Sequence, residues 1–361
     1  MFSFRFFLVI YTRWYSYGHV QFLSSIQETD YTTPALKTAP TGKGYWYYTR
    51  FEAGESYPTY CRAPQSSTDE LFPPPVNEGW DEKIANSNNE TSLGPLLPGE
   101  EVYLDVPALA RDRTYLATGA IAISPDQKYV AYTLDEKGGE TCQLYLKHIE
   151  SGKVWTLRDR NVDRNTTDST DLLECDGSVV WNDASDALFY VTMDEMHRPH
   201  KLYCRRIFDS DGHWIDAEDQ NDELLMAEDD ELYNLRIAKS FDGRYLLVRS
   251  SSKESSEVHY LDLRHEMGSK GMSLAKNLVC IAKRKHKVLY RVTHCQGYWL
   301  VQTNIGGLPN LSLKACRVGE EGMETWRDVV SSDTDAPVPV FDGGHARSLD
   351  VSDHIFPLTS I

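Results

Sequence analysis

Between Ala120 and Gly152 the chain reads AIAISPDQKYVAYTLDEKGGETCQLYLKHIESG. An apolar stretch leads into a polar turn at Ser124 to Lys128, and Tyr129 to Leu134 is again apolar or aromatic. A Gly-rich turn follows at Gly138-Gly139, then Gln143 to Ile149 alternates. Period-two alternation broken by turn residues predicts short strands joined as an antiparallel meander. The same order recurs at Val179 to Arg206, Leu235 to Leu263 and Val288 to Val318. The residues that open the second strand, Tyr129, Leu188, Tyr245 and Tyr298, are spaced by 59, 57 and 53 positions. Four strands per unit at this period predict the blades of a β-propeller.

Partial units flank these four. Gly44 to Arg62 (GYWYYTRFEAGESYPTYCR) predicts a hairpin turning at Ala53-Gly54-Glu55, with Glu101 to Leu104 as a third strand. Between them, residues 63–99 are rich in Pro, Asn, Ser and acidic side chains and are expected to form a disordered insert. Arg347 to Pro357 fits the start of a further blade. The expected fold is all-β: residues 1–43 as a residual N-terminal segment, and 44–361 as an incomplete propeller of about five four-stranded blades plus the start of another. Blade faces are apolar and are covered by neighbouring blades. An incomplete ring is therefore expected to offer exposed blade faces to a partner chain.

Composition narrows the partners. The 361 residues carry 54 Asp and Glu against 37 Lys and Arg, a formal charge of −17. Nucleic acid is not an expected partner, because phosphate binding needs clustered positive charge; an acidic surface instead steers basic ligands, or serves only to keep the protein soluble. The seven cysteines are scattered without a C-x-x-C pair, which points to a reduced, cytoplasmic protein with no zinc module. Met1 to Tyr11 is too short an apolar run to span a membrane, and no membrane association is expected. The sequons at Asn89, Asn165 and Asn310 are read as chance.

The segment LFYVTMDEMHRPHKL, Leu188 to Leu202, resembles the oligopeptidase B group of the prolyl oligopeptidase family, which carries a T-x-D-E-x-x-R-P segment there. YWYYTR at Tyr45 to Arg50, YPTYCR at Tyr57 to Arg62, AISPD at Ala122 to Asp126 and SSSKESSEVHYLD at Ser250 to Asp262 extend the resemblance, in order, over most of the chain. It implies a seven-bladed propeller capping an α/β-hydrolase domain, a Ser, Asp and His triad on the latter, cleavage of short peptides after Arg or Lys, and a propeller that restricts entry. Met1 to Val20 does not resemble the family's amino-terminal extension. A nucleophile elbow needs G-x-S-x-G, and the 361 residues contain none; Gly268-Ser269-Lys270-Gly271 has the wrong spacing. No catalytic, cofactor-binding or metal residue is therefore assigned. The chain is expected to be the non-catalytic, substrate-gating part of a peptidase, inactive alone and meeting basic peptides when joined to a catalytic domain. The competing expectation is a non-enzymatic protein-binding propeller.

Other polar groups invite chemistry but have simpler readings. His197 and His200 beside Asp194 and Glu195 suit a metal poorly, because Pro199 lies between them; Arg198 and the acidic pair are expected to fix a turn by charged hydrogen bonds. Glu228 to Glu231, and Asp216, Asp219 and Asp222, lack the Gly and terminal Glu of a calcium loop and are read as solvated connections. His294-Cys295 is read as a blade turn rather than a thiol nucleophile.

Overall fold

The computed structural model describes residues 31–52, 55–77, 94–158, 172–209, 211–215, 222–264, 273–307 and 311–330. Five antiparallel sheets follow one another along the chain. The first is β1 (Ala35–Thr38), β2 (Gly44–Arg50), β3 (Thr59–Pro64) and β4 (Glu101–Asp105). The second is β5 (Ala117–Ile123), β6 (Tyr129–Asp135), β7 (Cys142–His148) and β8 (Val154–Thr156), with the two-residue β9 (Glu174–Cys175) also paired to β7. The third is β10 (Val179–Trp181), β11 (Ala187–Met193), β12 (Pro199–Arg206) and β13 (Glu223–Ala227). The fourth is β14 (Asn234–Lys239), β15 (Tyr245–Ser251), β16 (Ser256–Asp262) and β17 (Val279–Ala282). The fifth is β18 (Tyr290–Cys295), β19 (Tyr298–Thr303), β20 (Ser312–Arg317) and β21 (Arg327–Val330). Spatial order equals chain order in every sheet, so each is the predicted meander.

The turn between the first two strands explains why the period is so legible. In the second sheet Ser124 Oγ donates to Asp126 (2.6 Å) and accepts from the Tyr129 amide (2.9 Å). Ser240 Oγ donates likewise to Asp242 (2.6 Å) and accepts from the Tyr245 amide (3.0 Å). In the third sheet Asn182 takes that place, its Oδ1 accepting from the Ala187 amide at 3.0 Å. A short polar side chain that bonds its own turn competes well against continued strand. Each turn also holds a residue in the left-handed region: Gln127 at φ 61°, Ser185 at φ 63° and Gly243 at φ 74°.

By its contacts the chain divides into two units, Met1–Tyr190 with Arg205–Asp222, and Val191–Cys204 with Glu223–Ile361. In the first, Tyr45, Tyr47, Tyr103 and Leu104 of the first sheet share a buried cluster with Val130, Tyr132 and Leu134 of the second. In the second unit, Tyr245, Val258 and Ile281 of the fourth sheet share one with Tyr290, Trp299 and Cys316 of the fifth. Face-to-face burial between successive sheets is how a blade hides the apolar side of its strands.

Two expectations need correction. The first sheet begins at β1, inside the stretch read as a residual N-terminal segment, so the strand at Glu101 is its fourth and not its third. ALKT has its two apolar residues, Ala35 and Leu36, side by side, so it shows no alternation. Nor is all of 63–99 loose. Leu96 and Leu97 are fully buried with Trp46, Tyr48, Cys61 and Ala63, and Glu100 ties them down by accepting from the Leu96 amide (2.8 Å), the Tyr48 hydroxyl (2.8 Å) and Arg50 Nε (3.1 Å). Residues 78–93, and the further blade expected at Arg347 to Pro357, lie outside the described residues.

Candidate functional site

The T-x-D-E-x-x-R-P segment forms the β11–β12 turn. Asp194 accepts from the amides of Met196 and Arg198 and from Arg198 Nε, each at 2.9 Å. The Arg198 amide, then its guanidinium, holds this carboxyl below the usual range. The same guanidinium donates to the carbonyl oxygens of Glu228 (3.1 Å), Asp230 (3.1 Å) and Tyr233 (3.0 Å). The motif is therefore a strut joining a hairpin turn to the β13–β14 connection, as its charges predict. His197 takes the left-handed position of the turn at φ 60°. His200 Nδ1 is buried without a hydrogen-bond partner, and burial pushes its pKa down.

That connection leads to the main polar cluster. Glu228, read from the sequence as solvated, is only 5 % exposed. It accepts from Ser250 Oγ and from Arg284, both at 2.5 Å. Burial opposes its ionisation, yet Arg284 and Ser250 outweigh burial and leave the carboxyl below its usual range. Arg284 lies over the Tyr233 ring at 3.9 Å and stands 3.8 Å from Glu257. Beyond Glu257 come His259 and Cys280. Burial lowers the pKa of the imidazole, and burial, then Glu257, raises that of the thiol to about 11. Ser250 to Asp262 shows only a family resemblance in sequence, because Cys280 and Arg284, which complete the cluster, come later in the chain.

Asp222 is the second carboxylate misread as solvated; Arg205 and the Tyr190 hydroxyl hold it inside the first unit. An acidic run looks exposed when the cation that neutralises one member is far away in sequence. Asp216, Asp219, Gly268 to Gly271 and all three sequons lie outside the described residues.

His294 carries the arrangement most like catalytic machinery, and its hydrogen bonds argue against that role. Its Nε2 accepts from the Gly297 amide at 3.1 Å, which leaves Nδ1–H to donate to Asp242 at 2.6 Å. A general base needs a free ring nitrogen facing a nucleophile, and Ser240 Oγ instead donates to Asp242. The pair thus locks a turn, and Cys295 is a half-buried strand end beside it. Among the described residues, no helix is long and apolar enough to cross a membrane.

Residues 20–343 match the family model described as the N-terminal β-propeller domain of prolyl oligopeptidase. Protease 2 of Moraxella lacunata is 27 % identical over 76 % of this chain and 32 % of its own length. Dipeptidyl aminopeptidase BI of Pseudoxanthomonas mexicana is 25 % identical over 83 % and 36 %. Among solved structures, oligopeptidase B from Leishmania major matches with a TM-score of 0.60 at 25 % identity, over 83 % of this chain and 34 % of that one. Oligopeptidase B from Trypanosoma brucei, with covalently bound antipain, matches at 0.59 and 26 %, over 86 % and 36 %. The chain thus spans about a third of the length of the relatives it matches. Five successive four-stranded meanders, the Asp194–Arg198 strut and a match over nearly all residues agree: the chain belongs to the prolyl oligopeptidase family, and its sheets are those of the family's N-terminal β-propeller domain.

Proposed function

We propose that this chain is the substrate-gating propeller of a cytoplasmic serine peptidase that cleaves short peptides after Arg or Lys. The observation that carries the reading is the likeness to the propeller portion of two oligopeptidase B structures at 25 % and 26 % identity. The excess of acidic side chains supports basic peptides as the substrate class, since a negative surface raises their encounter rate. All seven cysteines are free, which suits a reducing compartment. Hydrolysis belongs to the whole protein, and the propeller contributes selection by size and charge.

A chimera tests this. The matching third of Protease 2 from Moraxella lacunata is replaced by this chain, and the 361-residue chain alone is assayed in parallel with a fluorogenic Arg-Arg peptide. The chain alone gives no turnover above buffer. The chimera hydrolyses the peptide, spares folded proteins, and loses kcat/KM as salt is raised. Turnover by the chain alone, or equal digestion of folded protein and short peptide by the chimera, overturns the proposal.

A further inference from the structure

Three side chains of different chemistry meet on one face of the fourth sheet. Glu257 and His259 are two residues apart in β16, and the strand period sends both to the same side. The register sets His259 opposite Cys280 of β17, with a shift between Val258 and His259. A carboxylate oxygen of Glu257, a ring nitrogen of His259 and Sγ of Cys280 all lie within 4.8 Å of one another, and all three residues are half-buried.

We propose that Glu257, His259 and Cys280 bind a zinc-class divalent ion, with water completing a tetrahedral set. Carboxylate, imidazole and thiolate are the donors such an ion accepts, and a softer or harder metal would not favour all three together. Bonds of about 2.0–2.3 Å place tetrahedral ligand atoms about 3.5 Å apart. The observed spread therefore closes by small side-chain rotations, without moving the sheet.

The imidazole has no settled protein partner for this site to displace. His259 Nδ1 is buried with no hydrogen bond, and Nε2 stands 3.7 Å from Glu257 Oε1, too far for one. A half-buried ring held without hydrogen bonds costs stability that metal ligation offsets. Arg284 is engaged by Glu228 at 2.5 Å, and its amide donates to Glu257 Oε2 at 2.8 Å. Glu257 Oε1, 3.7 Å from His259 Nε2, is the oxygen that faces the site.

A second set, Asp209, Asp211 and His213, also brings its ligand atoms within 4.8 Å, but all three residues are exposed. Asp209 there accepts from the amides of Asp211 (2.9 Å) and His213 (2.8 Å), which a tight turn explains. It has no thiol, so a spectroscopic probe separates the two sets.

The full 361-residue chain, reduced and stripped with chelator, is titrated with Co²⁺ and then with Zn²⁺ in competition. We expect one equivalent of Co²⁺ per chain with a thiolate-to-cobalt charge-transfer band, displaced by Zn²⁺. Cys280→Ser removes the band and weakens Zn²⁺ at least tenfold. Glu257→Gln, which keeps the thiol and the strand pair, retains a band but weakens Zn²⁺ by a similar factor. Asp209→Asn changes neither. No stoichiometric binding, a band that survives Cys280→Ser, or binding lost in Asp209→Asn and kept in Glu257→Gln would each overturn the assignment.

Discussion

Arg205 and Asp222 form an ion pair sealed from solvent, with side chains 1 % and 0 % exposed. Arg205 Nε reaches both carboxylate oxygens at 2.9 Å, and the Tyr190 hydroxyl donates to Asp222 at 2.5 Å. Desolvating two charges is costly, and their attraction offsets it only while both are present. Arg205→Ala should therefore lower unfolding free energy by about 3–5 kcal/mol, since Asp222 would remain as an uncompensated buried charge. The joint change Arg205→Met with Asp222→Leu should recover most of that loss. Urea midpoints of the two variants measure the difference, and equal midpoints would mean that the pair itself supplies the stability.

Acid should weaken the second unit through Asp262. Burial alone would raise its pKa, but the side chain and amide of Arg264, with Arg244, hold it at about 2. Its folded value lies below the unfolded one of about 3.9. Its contribution is thus complete above the unfolded value and lost as pH falls through the folded one. Asp262→Asn should lower Tm at pH 6, and the difference should shrink as pH falls through about 2, where the native carboxyl is itself half protonated. Thermal melts across that range check the convergence.

How much of this was legible depends on distance along the chain. YVAYTLD of β6 and YLLVRSS of β15 announce themselves because turn chemistry and alternation are both local. The Ser-x-Asp turns at Ser124 and Ser240 set the period for the same reason. β1 and β9 are four and two residues long and carry too little pattern to be seen alone. The polar clusters are long-range: Arg205 reaches Asp222 across 17 residues, and Arg284 reaches Glu228 across 56. Acidic runs therefore look solvated until the fold supplies their cations.

The Asp242–His294 pair predicts a structural and not a catalytic loss. The imidazole is 3 % exposed and packs edge-on against Tyr245, with ring centroids 4.8 Å apart, and against Trp299. His294→Ala opens a cavity and frees the Gly297 amide, and should cost about 2–4 kcal/mol in urea unfolding. His294→Gln restores a hydrogen-bond acceptor and should recover part of the loss. In the chimera with a catalytic domain, either variant should leave kcat for the Arg-Arg peptide unchanged below its melting temperature. A selective fall in kcat would assign the imidazole a chemical role.

Thiol reactivity should report the two kinds of cysteine position. Cys61, Cys142, Cys175, Cys204 and Cys316 are buried, while Cys280 and Cys295 are half-buried. Burial raises the pKa of the Cys142 and Cys316 thiols to about 11 and that of Cys61 to about 12. The thiolate is the reactive form, and burial raises the Cys280 thiol to about 11 as well, so access is what sets it apart from Cys142 and Cys316. A disulfide reagent at pH 8 should modify Cys295 first and Cys280 more slowly, and the other five only after denaturant is added. Cys280 should then be protected by one equivalent of Zn²⁺ and Cys295 should not. Mass mapping of the modified peptides reads both effects, and equal protection of the two thiols would place the ion away from Cys280.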